Sequence, residues 1–226
     1  MKFLQSIIPG SRIAIKSLLC FSVFLLAFSK MAQADSIPKR NRISIQIAPL
    51  SLIDFYNGSN YKLGTEIRLF RNIYVSADFG GYFRNFNVLK NNKGFNTDFR
   101  IKYQLPHSNS FVSLSYFYKN QSFEYHDYYI DKPEEPIVVY TRKTVNCINM
   151  NFEQKFPFLK NQRAYVSLFA GLGIRFRNVH SSFEMKHDFD RLKDGGDSQT
   201  LYFVLIPGKD TWLNVNAGLR LGFYLF

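Results

Sequence analysis

The run His180-Ser181-Ser182-Phe183-Glu184 holds the residues best suited to chemistry. Residues two apart on a strand project from one face, so the imidazole of His180 and the hydroxyl of Ser182 would stand side by side. A carboxylate lies nearby at Glu184 or, across a turn, at Asp194. Histidine, serine and an acid are the parts of an activated nucleophile: the imidazole takes the hydroxyl proton and the acid orients the imidazole. The chemistry would be hydrolysis. The spacing is also common by chance, so the same residues serve equally as an ordinary polar strand end. His107, His126 and His187 lie in or near loop-like sequence, far apart, and show no metal-ligand spacing. No metal and no cofactor are expected.

A second set of reactive groups is ionic. Glu66, Arg68, Asp78, Arg84, Asp98, Arg100, Lys102, Glu153, Lys155, Arg175, Arg177 and Arg220 recur on one parity of strand-like segments whose other parity is apolar. With Lys62 they make four acids against nine bases. Such a set is either a conduction path or proton relay, or a paired network inside a packed interior, since buried charges are expected to pair.

The elements that would position these groups alternate with period two. In the closing stretch, Leu213, Val215, Ala217, Leu219, Leu221, Phe223 and Leu225 oppose Asn214, Asn216, Gly218, Arg220 and Gly222. Earlier strands center on Ile43 to Ile47, Leu63 to Leu69, Ile73 to Phe83 and Phe95 to Leu105. Later ones center on Val112 to Tyr118, Ile148 to Phe152 and Val166 to Phe176. Ala48-Pro49 reads as a bulge in the first strand, which resumes at Leu50 and Leu52. Short turns are expected at 70–72, 106–110 and 157–163, and longer loops at 55–60, 85–94, roughly 126–138 and roughly 183–211. Eight antiparallel up-and-down strands follow, with short turns on one side and long loops on the other.

The segments flanking the loop signal Asp131 to Pro136 offer about twenty strand-like residues each. Val179 to Asp190 and Thr200 to Ile206 are expected to pair around Asp194-Gly195-Gly196-Asp197, with Pro207-Gly208 as a bulge. Strands five to eight should then rise above strands one to four. The raised tip would expose Leu201, Tyr202, Phe203, Val204, Leu205 and Ile206, an apolar edge open to strand addition by a partner.

Residues 1–34 carry Lys2, Arg12 and Lys16 ahead of an apolar run, Leu18 to Phe28, and then Ala32-Gln33-Ala34. That is the pattern of a secretory signal peptide. Residues 35–41 make a short polar lead, and 42–226 the single barrel domain. Bulky Leu19 before Cys20 argues against a lipid anchor there. Residues 1–34 hold four bases and no acids, so their removal takes the net charge from +12 to +8 and leaves Cys147 as the one thiol. A disulfide within the remaining chain is thereby excluded. The basic residues are interleaved with apolar ones rather than clustered, which speaks against a nucleic-acid partner.

The final strand, with Tyr224 two places before Phe226, resembles the closing strand of bacterial outer-membrane β-barrels. In that family the terminal aromatics are a signal to the barrel-assembly machinery; here Phe226 falls on the parity opposite the apolar set. Across residues 42–226 the chain resembles the small OmpA/OmpX-type barrels. The resemblance implies the outer membrane of a Gram-negative bacterium, with lipid as surroundings. Lys90, Lys93, Lys132, Arg142, Lys143 and Lys186 near the outer rim suit lipopolysaccharide phosphates electrostatically, although a charged rim is equally what any solvated loop shows. It implies a structural or surface-interaction role, with an extracellular protein as a further partner. The His180 and Ser182 pair is also similar to that of eight-stranded lipid A deacylases, although Phe183 stands where that family has asparagine. A lipid hydrolase is therefore the alternative, and a narrow passage for small solutes a third reading.

Overall fold

The computed structural model describes residues 43–49, 60–82, 89–106, 108–129, 132–158, 163–182 and 207–225. They form β1 (Ile43–Ile47), β2 (Asn60–Arg68), β3 (Ile73–Tyr82), β4 (Leu89–Gln104), β5 (Ser110–Tyr129), β6 (Lys132–Phe158), β7 (Ala164–Ser181) and β8 (Gly208–Tyr224). The strands close into a barrel in sequence order. Every neighbour is antiparallel, and the ring is sealed where Ser44 meets Tyr224 and Ile47 meets Leu221.

Period-two alternation sorts the side chains between two environments. Ile67, Phe99, Ile148, Met150, Leu213 and Val215 stand exposed on the outer wall. Ser44, Gln46, Glu66, Asp78, Arg100, Lys102, Glu153 and Arg220 are buried in the lumen. The polarity is therefore the reverse of a water-soluble barrel, which keeps its apolar side chains within.

Glycines on the lumen face make room for rings. Phe169 lies beside Gly218 and Tyr165 beside Gly222 on the neighbouring strand. A Cβ at Gly218 would come within 2.6 Å of the Phe169 ring, and one at Gly222 within 2.5 Å of Tyr165 Cε1. Gly222→Val is accordingly expected to destabilise the barrel by about 1–3 kcal/mol through overpacking. Urea titration of the folded chain would measure it, and an unchanged midpoint would refute the packing argument.

Several boundaries differ from the sequence expectation. β1 ends at Ile47: Ala48 N still donates to Lys62 O at 3.1 Å, and Pro49 has no N–H to continue the ladder. Leu50 and Leu52 lie outside the described residues. β4 starts at Leu89, inside the expected 85–94 loop. A register shift between Lys90 and Lys93 absorbs the irregularity, with Asn91 at φ 50° and Gly94 at φ 144°, conformations those two residue types tolerate. The 126–138 loop contracts as β5 runs to Tyr129 and β6 begins at Lys132. Pro133 and Pro136 lie inside β6, where Pro136 stands opposite Tyr128 of β5. The last lower turn is also shorter than 157–163, since Phe158 pairs with Ala164.

Val179 pairs with Gly208, and β8 begins five residues before Leu213; the pairing expected farther up this arm, around Asp194 to Asp197, lies outside the described residues. Among the described residues the strands differ in length: β1, β2 and β3 have 5, 9 and 10 residues, whereas β5 and β6 have 20 and 27. β4, with 16 residues, belongs to the tall side, because its ladder with β5 reaches Leu89 and Tyr125. The short turns at Leu69 to Ile73 and Leu105 to Ser110, each closed by a 2.9 Å backbone bond, mark the lower end of the barrel.

Candidate functional site

The lumen is built in three tiers. At the lower end, β3, β5, β7 and β8 send in Tyr74, Phe111, Tyr165 and Tyr224, all buried. Their rings surround the ammonium of Lys155 from β6, with Nζ 5.5, 4.7, 4.5 and 5.6 Å from the respective centroids. Ring faces attract a cation electrostatically, most strongly where water is excluded. Ser44 and Tyr165 share a hydrogen bond of 2.9 Å that ties the plug to β1.

Above the plug lies the ion network. Lys102 Nζ donates to Glu66 Oε2 and to Glu153 Oε2, each at 2.7 Å. Lys155 pairs with the other oxygen of Glu66, and Ser167 Oγ donates to Glu153 Oε1 at 2.6 Å. Asp78 and Asp98 are direct cross-strand neighbours, an arrangement of like charges that is unfavourable alone. Arg100 resolves it by pairing with Asp78 and, at 2.8 Å, with Asp98. Arg220 crosses from β8 to reach Asp78 at 3.3 Å and stacks on Phe169, its guanidinium carbon 3.7 Å from the centroid. Gly64 flanks Asp78, whose carboxylate fills the space a Cβ would take.

The third tier is a cavity of about 430 Å³ in the upper lumen. Lys62, Lys119, Lys143, Arg175 and Arg220 contribute to its lining, together with Asp98, Cys147, Asn96, Asn149 and Asn216. Toward the tips, Arg177 is held by Asp210 through an Nε bond of 2.7 Å.

No protein-family model matches this chain. Nor does any curated protein or solved structure.

Eight of the expected interior charges gather in two groups, Lys102 and Lys155 with Glu66 and Glu153, and Arg100 and Arg220 with Asp78 and Asp98, joined by Arg220 and Glu153 at 4.0 Å. Arg68 does not join it; its guanidinium turns to the lower end, donating to Arg71 O at 3.1 Å. Arg175 and Arg177 belong to the upper tier, and Arg84 lies outside the described residues. Lys143, expected at the rim, is buried in the lumen, because it shares parity with Val145 and Cys147. Arg142, Lys90 and Lys93 are exposed. Lys119, Asp210 and the aromatic cage were not singled out from sequence. The cage had a signal: aromatic residues on the polar parity.

His180, on the outer face of β7, and Ser182, one residue past its end, are both exposed. Ser182 Oγ accepts a hydrogen bond from Tyr140 N at 3.0 Å, which fastens the upper end of β7 to β6. Among the described residues no hydrogen bond joins His180 to Ser182. Glu184, Asp194, the edge from Leu201 through Ile206, and Phe226 lie outside the described residues. Tyr224 points into the lumen as part of the plug.

Proposed function

We propose that this chain is an integral outer-membrane β-barrel of a Gram-negative bacterium, exported by the signal in residues 1–34, with a structural or surface-interaction role. The observation that carries the reading is the reversed polarity: an apolar outer wall around a buried ion network. A bilayer core offers no water to unpaired backbone groups, so a sheet can cross it only as a closed barrel. The outer apolar face of β8 spans ten residue steps, Leu213 to Phe223. At about 3.3 Å per residue and a tilt of about 40°, it covers roughly 25 Å of depth, the height of the apolar band in such barrels.

The Lys155 plug and the network above it fill the lower lumen, which favours a presenting scaffold over a solute passage. With the short turns in the periplasm, the β5 and β6 hairpin stands outside the cell as the surface offered to lipopolysaccharide or to an extracellular protein. Expression of the full chain followed by membrane fractionation tests the reading. The expected product resists carbonate extraction and migrates faster on gels before heating than after. A chain that folds and stays monomeric in buffer without lipid or detergent would overturn it.

A further inference from the structure

We infer that the turn between β2 and β3 is a membrane anchor, with Leu69 and Phe70 among the acyl chains of the periplasmic leaflet and Arg71 on the phosphates of its phospholipids. The inference rests on the membrane reading above, which puts this turn on the periplasmic side. Phe70 is 69% exposed and Leu69 54%. Neither stands apart from the outer wall. Leu69 continues the outer parity of β2 below the exposed Ile67, and the exposed Ile73 opens the outer parity of β3. The apolar surface of the wall therefore runs on from Ile67 through Leu69 to Phe70. Contiguous exposed apolar surface of this kind marks a site of interaction with protein or membrane.

The backbone of the turn is fitted for lipid. In hydrocarbon a carbonyl without a donor is costly, because no water is at hand to serve it. Arg68 Nε donates to Phe70 O at 3.3 Å and to Arg71 O at 3.1 Å, and its Nη2 donates to Arg71 O as well. Gln104 N donates to Asn72 O at 2.7 Å, while Leu69 N and Phe70 N donate to Ile73 O at 2.9 and 3.3 Å. The carbonyls of Phe70, Arg71 and Asn72 thus have protein donors, so the tip can leave water without orphaning them. The Arg68 guanidinium stays on the inner side, 5.7 Å from the ring centroid of buried Tyr74. Arg71 differs: it is exposed, and among the described residues no acid pairs with it. A cation beside an apolar tip matches what a phospholipid offers, acyl chains for Leu69 and Phe70 and phosphate for Arg71. A protein partner could cover the apolar pair, but the capped carbonyls and the unbroken join to the outer wall favour lipid.

Fluorescence quenching from the lipid and water sides tests the anchor. Phe70→Trp in a Trp212→Phe background leaves one indole, because the chain has a single tryptophan. The full chain, refolded into phosphatidylcholine vesicles, should show blue-shifted emission that acyl-brominated phosphatidylcholine quenches and aqueous iodide does not. Phe99→Trp in the same background is the control for the outer wall, where Phe99 is exposed. In mixed vesicles, brominated phosphatidylglycerol should quench the turn's indole with about a fivefold preference over brominated phosphatidylcholine, the pull of one basic residue on anionic lipid. Arg71→Gln should abolish that preference. Should Phe70→Trp lack the heat-shifted gel band of a folded barrel, Leu69→Trp takes its place. An iodide-quenched, bromine-insensitive turn beside a lipid-quenched Phe99→Trp control would overturn the anchor and leave the membrane reading standing. Protection from both quenchers would put the tip against protein and overturn it as well. Failure of the Phe99→Trp control in a folded chain would bring down the membrane reading and the anchor together. Equal action of the two brominated lipids, or a preference that survives Arg71→Gln, would remove Arg71 from the phosphates.

Discussion

Replacing Lys102 by Met is expected to cost the barrel about 3–5 kcal/mol, the usual penalty for removing one partner of a buried ionic cluster. Lys102 is fully buried and bridges two carboxylates that are themselves 1% exposed. Without its ammonium, Glu66 retains Lys155, but Glu153 keeps only Ser167 and a distant Arg220 at 4.0 Å. A carboxylate so placed has lost its close cation and cannot recover water. The loss should therefore fall mainly on Glu153, and Lys102→Met combined with Glu153→Gln should regain a large part of it. Glu66→Gln in the same background should regain less, because Lys155 would lose its own partner. Urea midpoints of the single and double variants would measure this. A single-variant cost below about 1 kcal/mol would show that the network is not a connected stabilising unit.

The second large effect concerns the opposite wall. Ile148→Arg is expected to cost about 2–4 kcal/mol when the barrel sits in lipid, since a guanidinium placed near mid-depth must be desolvated. Ile67→Arg, Phe99→Arg and Leu219→Arg should behave alike, as all four share the outer parity of their strands. Refolding into phosphatidylcholine vesicles gives the measurement. The proposed membrane placement would fail if all four arginines were accommodated without loss, because an outer wall facing water would accept each of them readily.

Parity carried most of what could be read before the fold was seen. Period two in β8 separates Leu219 from Arg220, and the structure puts one on the outer wall and the other in the lumen. The same rule identifies the charges that enter the network, and it puts His180 and Ser182 on one face. Partner choice was not legible. Arg220 meets Asp78, 142 positions away, only because the ring brings β8 across from β3, and no local pattern encodes that distance. Strand ends were also hidden. Asn91 and Gly94 look like loop residues because they tolerate left-handed backbone, yet here they serve a bulge within β4. Prolines 133 and 136 look like breakers but lie within β6, with Pro136 opposite Tyr128 of β5. Asp210 went unnoticed for the related reason that β8 starts earlier than its alternating core.

The routing of the ion network also sets a timetable for folding. Lys102 of β4 needs Glu66 from β2 and Glu153 from β6, Lys155 of β6 needs Glu66, and Arg220 of β8 needs Asp78 from β3. Every one of these links joins strands that are not sheet neighbours, so zipping adjacent hairpins satisfies none of them. Arg100 can meet Asp78 and Asp98 within the β3 and β4 hairpin, but a half-assembled sheet would hold Lys102, Lys155 and Arg220 apart from their carboxylates until curvature brings the walls together. Contacts of such long sequence separation are slow to form. The charges of Lys102, Lys155 and Arg220 should thus neutralise late and nearly at once, so that the barrel passes from open to closed as a latch does.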